Sequence, residues 1–333
     1  MNNLKKIGLS ALAGSLVAFS ANAGELSVSG SAEFTYTDND GTAGNNLTGN
    51  PYGAQQAIAF TGSGDVGFGE LTIVRVINDT GTENATSYAT LDMGDLGTLS
   101  FDSDGYGGVG YAANDDVLPT AYEEIWTGST GDSGVAGAGS SNTLGYANSF
   151  GPLSFSVGYQ KNGAATNQSE STASGAGITG STTDVYVSAA VPGIDGLTIG
   201  LGHSDISQNS TTLLDADSTY TGMNVNYSAG PVAVGYRYTQ ANVGTAATAS
   251  EIIDAWSIAF NVNENFAVSY GQQDTEFEAI GATASTTEEV KGINASYTVG
   301  AASIRLLNSK ANDVAGVAAT ENEHTEIGVV LSF

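Results

Sequence analysis

Hydrophobic residues recur at every second position in many short runs along the chain. In the run 25–36, Leu26, Val28 and Phe34 fall on one side, while serine, threonine and glutamate side chains fall between them. Because successive side chains of a strand point to opposite faces, this period of two indicates a β-strand. Sixteen such runs can be counted: residues 25–36, 55–63, 70–78, 86–93, 98–102, 142–150, 153–161, 183–191, 197–206, 218–228, 232–242, 252–262, 266–274, 290–299, 301–309 and 324–333. The chain is therefore predicted to be all-β.

The connections between these runs alternate in length. Seven are short and rich in turn residues: residues 62–69, 94–97, 151–152, 192–196, 229–231, 263–265 and 300. Eight are longer and polar: residues 37–54, 79–85, 103–141, 162–182, 207–217, 243–251, 275–289 and 310–323. Short turns at one rim and long loops at the other are typical of outer-membrane barrels. We therefore predict a sixteen-stranded antiparallel transmembrane β-barrel with both termini on the periplasmic rim.

The mean hydropathy of −0.04 is compatible with a protein that crosses a membrane through such a barrel. A barrel strand shows lipid only with every second residue, so the lumen face dilutes its average hydropathy. Because lipid offers no partner to an unpaired strand edge, the first strand should pair with the last, and sixteen strands leave an aqueous lumen. The alternative is a secreted acidic β-rich adhesin, in which long and short connections need not alternate.

The first 23 residues have the features of a bacterial secretory leader. Lys5 and Lys6 precede an apolar run at residues 7–19, and Ala21-Asn22-Ala23 has the small residues that a signal peptidase requires. The apolar run is shorter than the roughly 20 residues that a membrane-spanning helix needs. We therefore predict a signal peptide at residues 1–23 and a barrel domain at residues 24–333.

The charge of the chain is strongly negative. Eight basic and 35 acidic residues give a net charge of −27, and loss of Lys5 and Lys6 with the leader would change −27 to −29. Nucleic acid is excluded as a plausible partner, because its phosphates require a basic surface. There is no cysteine, so neither a disulfide framework nor a thiol nucleophile is available.

Three segments resemble those of bacterial general porins of the Rhodobacter type. They are the ending 326–333, which alternates apolar residues up to Phe333, the segment 27–34 after the leader, and the run 89–101 before the longest loop. The resemblance implies a homotrimer in the outer membrane, in contact with its lipid and lipopolysaccharide. It also implies that the barrel-assembly machinery recognises the terminal strand through Phe333. For the trimer contact we expect the small residues Gly30, Ala32, Ala57 and Ala89 on the outer face.

The resemblance further implies that the third long loop, residues 103–141, folds into the barrel and narrows the pore. In such porins acidic groups on the loop face basic groups on the wall, and the field between them sets selectivity. The acidic candidates here are Asp102, Asp104, Asp115, Asp116, Glu123 and Glu124. The strand alternation assigns three arginines to the lumen, Arg75, Arg237 and Arg305, because a charge at the middle of the lipid face costs about 2 to 4 kcal/mol. With so few cations, we expect a pore that favours cations.

The sequence offers few signals for metal binding or catalysis. Asp38 and Asp40, and likewise Asp102 and Asp104, precede a glycine as in calcium loops, but neither pair leads to the glutamate of an EF-hand. His203 and His324 lack metal-ligand spacing, and no catalytic triad can be read. We therefore expect no enzyme and no cofactor other than calcium on acidic loops. The predicted function is passive diffusion of small hydrophilic solutes and ions, with a substrate-specific channel as the alternative.

Overall fold

A computed structural model shows one closed antiparallel β-barrel of sixteen strands. It describes residues 24–42, 49–78, 86–104, 110–111, 115–130, 133–138, 143–162, 178–210, 217–243, 250–278 and 286–333. The predicted leader, residues 1–23, lies outside the described residues. No helix within the described ranges is long and apolar enough to cross a membrane. The prediction of a sixteen-stranded antiparallel barrel is confirmed.

The strands follow one another around the barrel in chain order. They are β1 Glu25–Gly41, β2 Tyr52–Asp65, β3 Glu70–Asn78, β4 Thr86–Asp92, β5 Thr98–Asp104, β6 Thr143–Phe150, β7 Leu153–Asn162, β8 Ile178–Ala190, β9 Leu197–Ser210, β10 Ser218–Ala229, β11 Val232–Asn242, β12 Glu251–Asn263, β13 Phe266–Phe277, β14 Glu288–Val299, β15 Ala302–Asn312 and β16 Glu321–Ser332. Several strands extend past their predicted ends on the side of the long loops. Polar residues there continue the ladder, because backbone pairing does not depend on an apolar side chain.

Two-residue turns at the short rim depend on glycine. Gly230 and Gly300 have φ angles of 58° and 60°, in the left-handed region that residues with a Cβ seldom adopt. Each lies in a hairpin that joins its strands directly, β10 to β11 and β14 to β15. The long connections leave from the opposite ends of the same strands. The two rims of the barrel therefore differ as the sequence predicts.

The barrel closes between its first and last strands. β1 pairs with β16 as well as with β2, so no strand edge faces lipid. The Gly30 N–H donates to the Phe333 carbonyl at 3.1 Å, and the Phe333 N–H donates to the Gly30 carbonyl at 3.0 Å. The Phe333 ring lies over Gly30, where a Cβ would overlap it. The terminal phenylalanine thus completes the ladder at the short rim.

The outer face of the barrel is apolar and carries rings near both rims. Large side chains such as Leu201 and Ile293 are about half exposed on this face, as expected where lipid replaces a protein core. Tyr36 and Tyr159 are exposed near the long-loop ends of their strands, and Phe150 and Tyr297 near the short-turn ends, in the positions of interfacial girdles.

The face assignment of one small residue is wrong. Gly30, Ala32 and Ala89 lie on the outer side, but Ala57 pairs with Ser31 on the inward side of the barrel. Its neighbours Ile58 and Phe60 lie on the outward face of β2. Ala57 therefore cannot contribute to a contact on the outer face.

Candidate pore constriction

The third loop joins β5 to β6 and comprises residues 105–142. The contacts that the structure describes for this loop fall on the inward faces of β8–β16. We call these strands the loop-bearing wall, and β1–β7 the open wall. Four wall-to-loop hydrogen bonds hold the loop there: Ser257 Oγ to Pro119 O at 2.8 Å, Ala121 N to Ser269 Oγ at 2.9 Å, Asn294 Nδ2 to Glu123 O at 2.9 Å, and Asn322 Nδ2 to Ser129 O at 2.9 Å.

Glycines in the loop-bearing wall make room for loop side chains. The buried Tyr111 ring lies against Gly202 and Gly222, and a Cβ on either glycine would overlap it. The Tyr111 hydroxyl lies 3.2 Å from Thr239 Oγ1 on β11. Ile125 similarly contacts glycines of β13 and β14. The backbone of the wall thus comes close enough for the loop to pack directly against it.

An apolar cluster packs between the third loop and the loop-bearing wall. Leu118, Ile125 and Trp126 of the loop pack with Ala255, Val290 and Ala311 of the wall, and all six side chains are buried. Such burial stabilises the docked loop through the hydrophobic effect at about 25 cal/mol per Å². The described part of the loop therefore lies against the inward faces of β8–β16.

Arg75 does not face the lumen, so that prediction is wrong. It is exposed and lies on the same face as Ile73 and Ile77, which are about half exposed on the outside of the barrel. Its cross-strand partner on β2 is Phe60, another outward residue. Both faces of β3 are rich in apolar side chains, with Val74 and Val76 inward, so alternation alone did not distinguish them.

Arg237 faces inward and is buried beneath the third loop. Only 2% of its surface is exposed. Its Nη1 donates to the Asp115 carbonyl at 2.6 Å, and its Nη2 donates to the Ser133 carbonyl at 2.5 Å. The guanidinium also lies 4.6 Å from the centre of the Trp126 ring. This charge is therefore directed at the loop backbone.

Arg305 also faces inward and contacts the loop through an aromatic ring. Its guanidinium carbon lies 5.3 Å from the centre of the Tyr122 ring. The Tyr122 hydroxyl donates to Glu326 Oε1 on β16 at 2.6 Å. The Tyr122 ring of the loop thus contacts the Arg305 cation of β15, and its hydroxyl binds the Glu326 carboxylate of β16.

The loop acids gather near this point and perturb one another. Burial, followed by the charge of Asp116, raises the pKa of Glu124 to about 8. Burial raises the pKa of Glu123 as well, and the charges of Glu326, Asp116 and Glu33 add to that increase. Burial and the neighbouring Asp116 also raise the pKa of Asp115. Carboxylates of the loop and of β1 and β16 therefore lie close enough to repel each other.

The side chains of Asp102 and Asp104 lie outside the described part of the structure, although their backbone belongs to β5. Asp38 and Asp40 are exposed near the long-loop end of β1. Among the described residues, no group of three or more histidine, cysteine, aspartate or glutamate side chains could hold a metal ion. Calcium binding by the acidic loops stays a prediction.

Several loop-holding residues escaped sequence reasoning. Asp184 on β8 is fully buried and accepts a hydrogen bond from the Ala138 N–H at 2.7 Å. His324 is buried beside Gly128 of the loop, and its Nδ1 lies 2.5 Å from Asn39 Oδ1. Their only sequence signal is an inward position in a strand, which many polar residues share.

Comparison with known proteins extends these observations. The family model for Gram-negative porins matches residues 8–332. The anion-selective porin from Comamonas acidovorans is a structural match with a TM-score of 0.66 and 13% identity, covering 93% of this chain and 99% of that one. A trimer form of OmpT from Vibrio cholerae matches with a TM-score of 0.59 and 15% identity, over 94% and 100% of the two chains.

A mutant of the Rh. blastica porin matches with a TM-score of 0.60 and 11% identity, covering 93% of this chain and all of the other. A search of curated proteins finds no match. At these identities the solved structures establish the shared barrel fold. The family match over nearly the whole chain, together with the closed barrel, shows that this protein belongs to the Gram-negative porins, the channel proteins of the bacterial outer membrane.

Proposed function

We propose that this porin is a general diffusion pore that favours cations. The observation that carries the proposal is the placement of the six basic residues that follow the predicted leader. Arg75, Lys161, Lys291 and Lys310 lie on the outer side of the barrel, as their strand positions require. Arg237 and Arg305 face inward against the third loop. No basic side chain of the described strands therefore faces the water-filled lumen from the open wall.

Acidic groups border the same space. Asp116 is exposed, and Glu123 is partly exposed where the loop meets β16. Glu33 on β1 and Glu326 on β16 are near enough to raise the pKa of Glu123. Fixed carboxylates in an aqueous neck raise the local concentration of cations and exclude anions. The Comamonas neighbour is described as anion-selective on the same fold, so charge preference depends on side chains rather than on the barrel.

The reversal potential of single channels in a KCl gradient tests this proposal. We expect a cation-selective wild type, whose selectivity weakens near 1 M salt as the Debye length falls to about 3 Å. Replacing Asp116→Asn and Glu123→Gln together should shift the potential toward anions. The matched control, Asp38→Asn with Asp40→Asn, removes two carboxylates from β1 near the long-loop rim and should leave the potential much closer to wild type. An anion-selective wild type would contradict the proposal, and flux that saturates with solute would favour a substrate-specific channel.

We further propose that the protein forms a homotrimer through the face around β3. Arg75 lies between Ile73 and Ile77 in the apolar band, where contact with lipid would cost about 2 to 4 kcal/mol. A second copy of the chain would cover this face, and the small outward side chain of Ala89 permits close approach. Native mass measurement in mild detergent should return three chains, and a lone barrel would contradict the trimer.

Export and membrane contacts complete the proposal. Residues 1–23 would direct secretion, and the β16 strand ending at Phe333 would be recognised during barrel assembly. The outward apolar face would contact lipid, with lipopolysaccharide in the outer leaflet. Passive diffusion through the pore involves no chemical step and requires no cofactor.

A further inference from the structure

We propose that Arg237 is a positioning residue that fixes the third loop, rather than a wall charge that acts on permeating ions. Its two terminal nitrogens bind carbonyl groups from two separate segments of the loop, at Asp115 and at Ser133. One guanidinium thereby ties together the outgoing and returning arms of the loop. The intervening segment carries Asp116, Glu123 and Glu124, so this tie holds both ends of the stretch that bears those acids. The consequence for conduction rests on the proposed pore function, whereas the tie itself does not.

The wall is built to let the guanidinium reach this position. Arg237 on β11, Ala255 on β12 and Gln273 on β13 are direct cross-strand neighbours on the inward face. Ala255 is small and fully buried, so the arginine extends across it. Its Nη2 lies 3.4 Å from Gln273 Oε1 as well as 2.5 Å from the Ser133 carbonyl. A wall residue and a loop residue therefore share the same donor.

Because Arg237 is buried, the geometry of its hydrogen-bond donors is as important as its charge for the contact with the loop. The side chain is 2% exposed, and the Trp126 ring covers it on the loop side. Hydrogen bonds from a charged donor are strong when water is excluded. An arginine can bind separate acceptors and an aromatic face at once because its donors are fixed in a planar fork. A lysine carries the same charge on one nitrogen and cannot reproduce this set of contacts.

The charge-conserving variant Arg237→Lys separates the two roles. We expect amide hydrogen exchange in peptides covering residues 115–138 to become about tenfold faster, because hydrogen bonds to a charged group control local opening of the loop. The reversal potential should change little, since the net charge is unchanged. The open-channel current should become noisier as the loop moves in the lumen.

Tryptophan fluorescence provides a second readout of loop docking. The chain has two tryptophans, Trp126 in the loop and Trp256 on the outer face. In a Trp256→Phe background the remaining emission reports on Trp126, which is buried against Arg237. Arg237→Lys should shift this emission to longer wavelength and increase quenching by acrylamide. The matched control is Lys161→Arg on the outer side of β7, which should change neither signal.

The lysine and glutamine variants of Arg237 together can overturn the proposal. If Arg237→Lys exchanges and quenches like wild type while Arg237→Gln moves the reversal potential, Arg237 is an ordinary wall charge. If Arg237→Lys does not assemble, Arg237→Gln is measured by the same hydrogen exchange, because a glutamine cannot bind both carbonyl groups. Unchanged exchange in a folded Arg237→Gln barrel would then overturn the tie. Failure of cation selectivity alone, with faster exchange in Arg237→Lys, would contradict the pore proposal but leave the tie standing.

Discussion

The open wall and the loop-bearing wall are built from the same alternating strands, yet their inward faces differ. On the open wall, Ser63, Thr72 and Thr90 form a row of partly exposed cross-strand neighbours with hydroxyl groups. On the loop-bearing wall, the row through Arg237, Ala255 and Gln273 is buried and bonded to the third loop. The loop-bearing wall adds glycines that make room for loop side chains and an arginine that binds the loop backbone. Inward orientation alone therefore does not make a residue part of the pore lining.

A bulky side chain at a glycine of the loop-bearing wall should have the largest effect, because it fills the space that a loop side chain occupies. Gly222→Leu would overlap the Tyr111 ring and approach the Tyr238 carbonyl, so the loop cannot dock without moving the wall. We expect a loss of about 3 kcal/mol in unfolding free energy, because overpacking forces strained side chains and backbone shifts. Denaturant titration of the detergent-solubilised barrel measures it.

The matched substitution lies on the open wall. Ala59 faces the lumen from β2, and Ala59→Leu adds a side chain of the same size where water can be displaced. Its effect on unfolding free energy should stay within about 0.5 kcal/mol. Equal losses for Gly222→Leu and Ala59→Leu would remove the distinction between the two walls.

Loss of one charge-assisted hydrogen bond should have an intermediate effect. Tyr122→Phe removes the 2.6 Å donation to Glu326 and leaves a carboxylate without that partner. Bonds to charged groups contribute about 2 kcal/mol, so loop exchange should accelerate about thirtyfold. Tyr186→Phe on β8 removes a neutral bond from Asn224 at 2.9 Å and should affect the loop much less. Similar exchange in both variants would show that the loop does not depend on the Tyr122 contact.

Titration of Glu124 should give the smallest effect. Because burial and Asp116 raise its pKa to about 8, this carboxyl is neutral near pH 6 and gains a charge by about pH 9. Cation selectivity should therefore increase as pH rises through that window. The native state holds a proton that the unfolded chain releases, so the contribution of Glu124 to stability falls as pH rises from 4.5 toward about 8.

Glu124→Gln is the variant that isolates this titration. It should abolish the part of the selectivity change that is centred near pH 8, and it should keep a neutral side chain at all pH values. Glu323→Gln on the outer face of β16 serves as the control and should retain the change. A pH profile that is the same in Glu124→Gln and in wild type would assign the titration to another group.

The choice of face on β3 shows the limit of alternation. Residues 71, 73 and 77 are apolar on one side and residues 74 and 76 on the other, so two registers are nearly equivalent in sequence. The rule that a charge avoids lipid placed Arg75 inward, but its pairing with Phe60 on β2 and Ser87 on β4 places it outward. Cross-strand pairing determined the face, whereas the energetic rule treats the outer face as lipid contact at every position.

The number of strands, the two kinds of connection and the inward direction of Arg237 and Arg305 follow from period-two alternation and turn residues, which act over a few neighbouring positions. The pairing of the first strand with the last follows because lipid offers no partner to an unpaired strand edge. The role of Arg237 was decided only by the tertiary structure, because it depends on carbonyl groups 122 and 104 residues away along the chain. Backbone carbonyls occur at every residue and carry no sequence signal, so only the folded barrel selects which two of them this guanidinium binds.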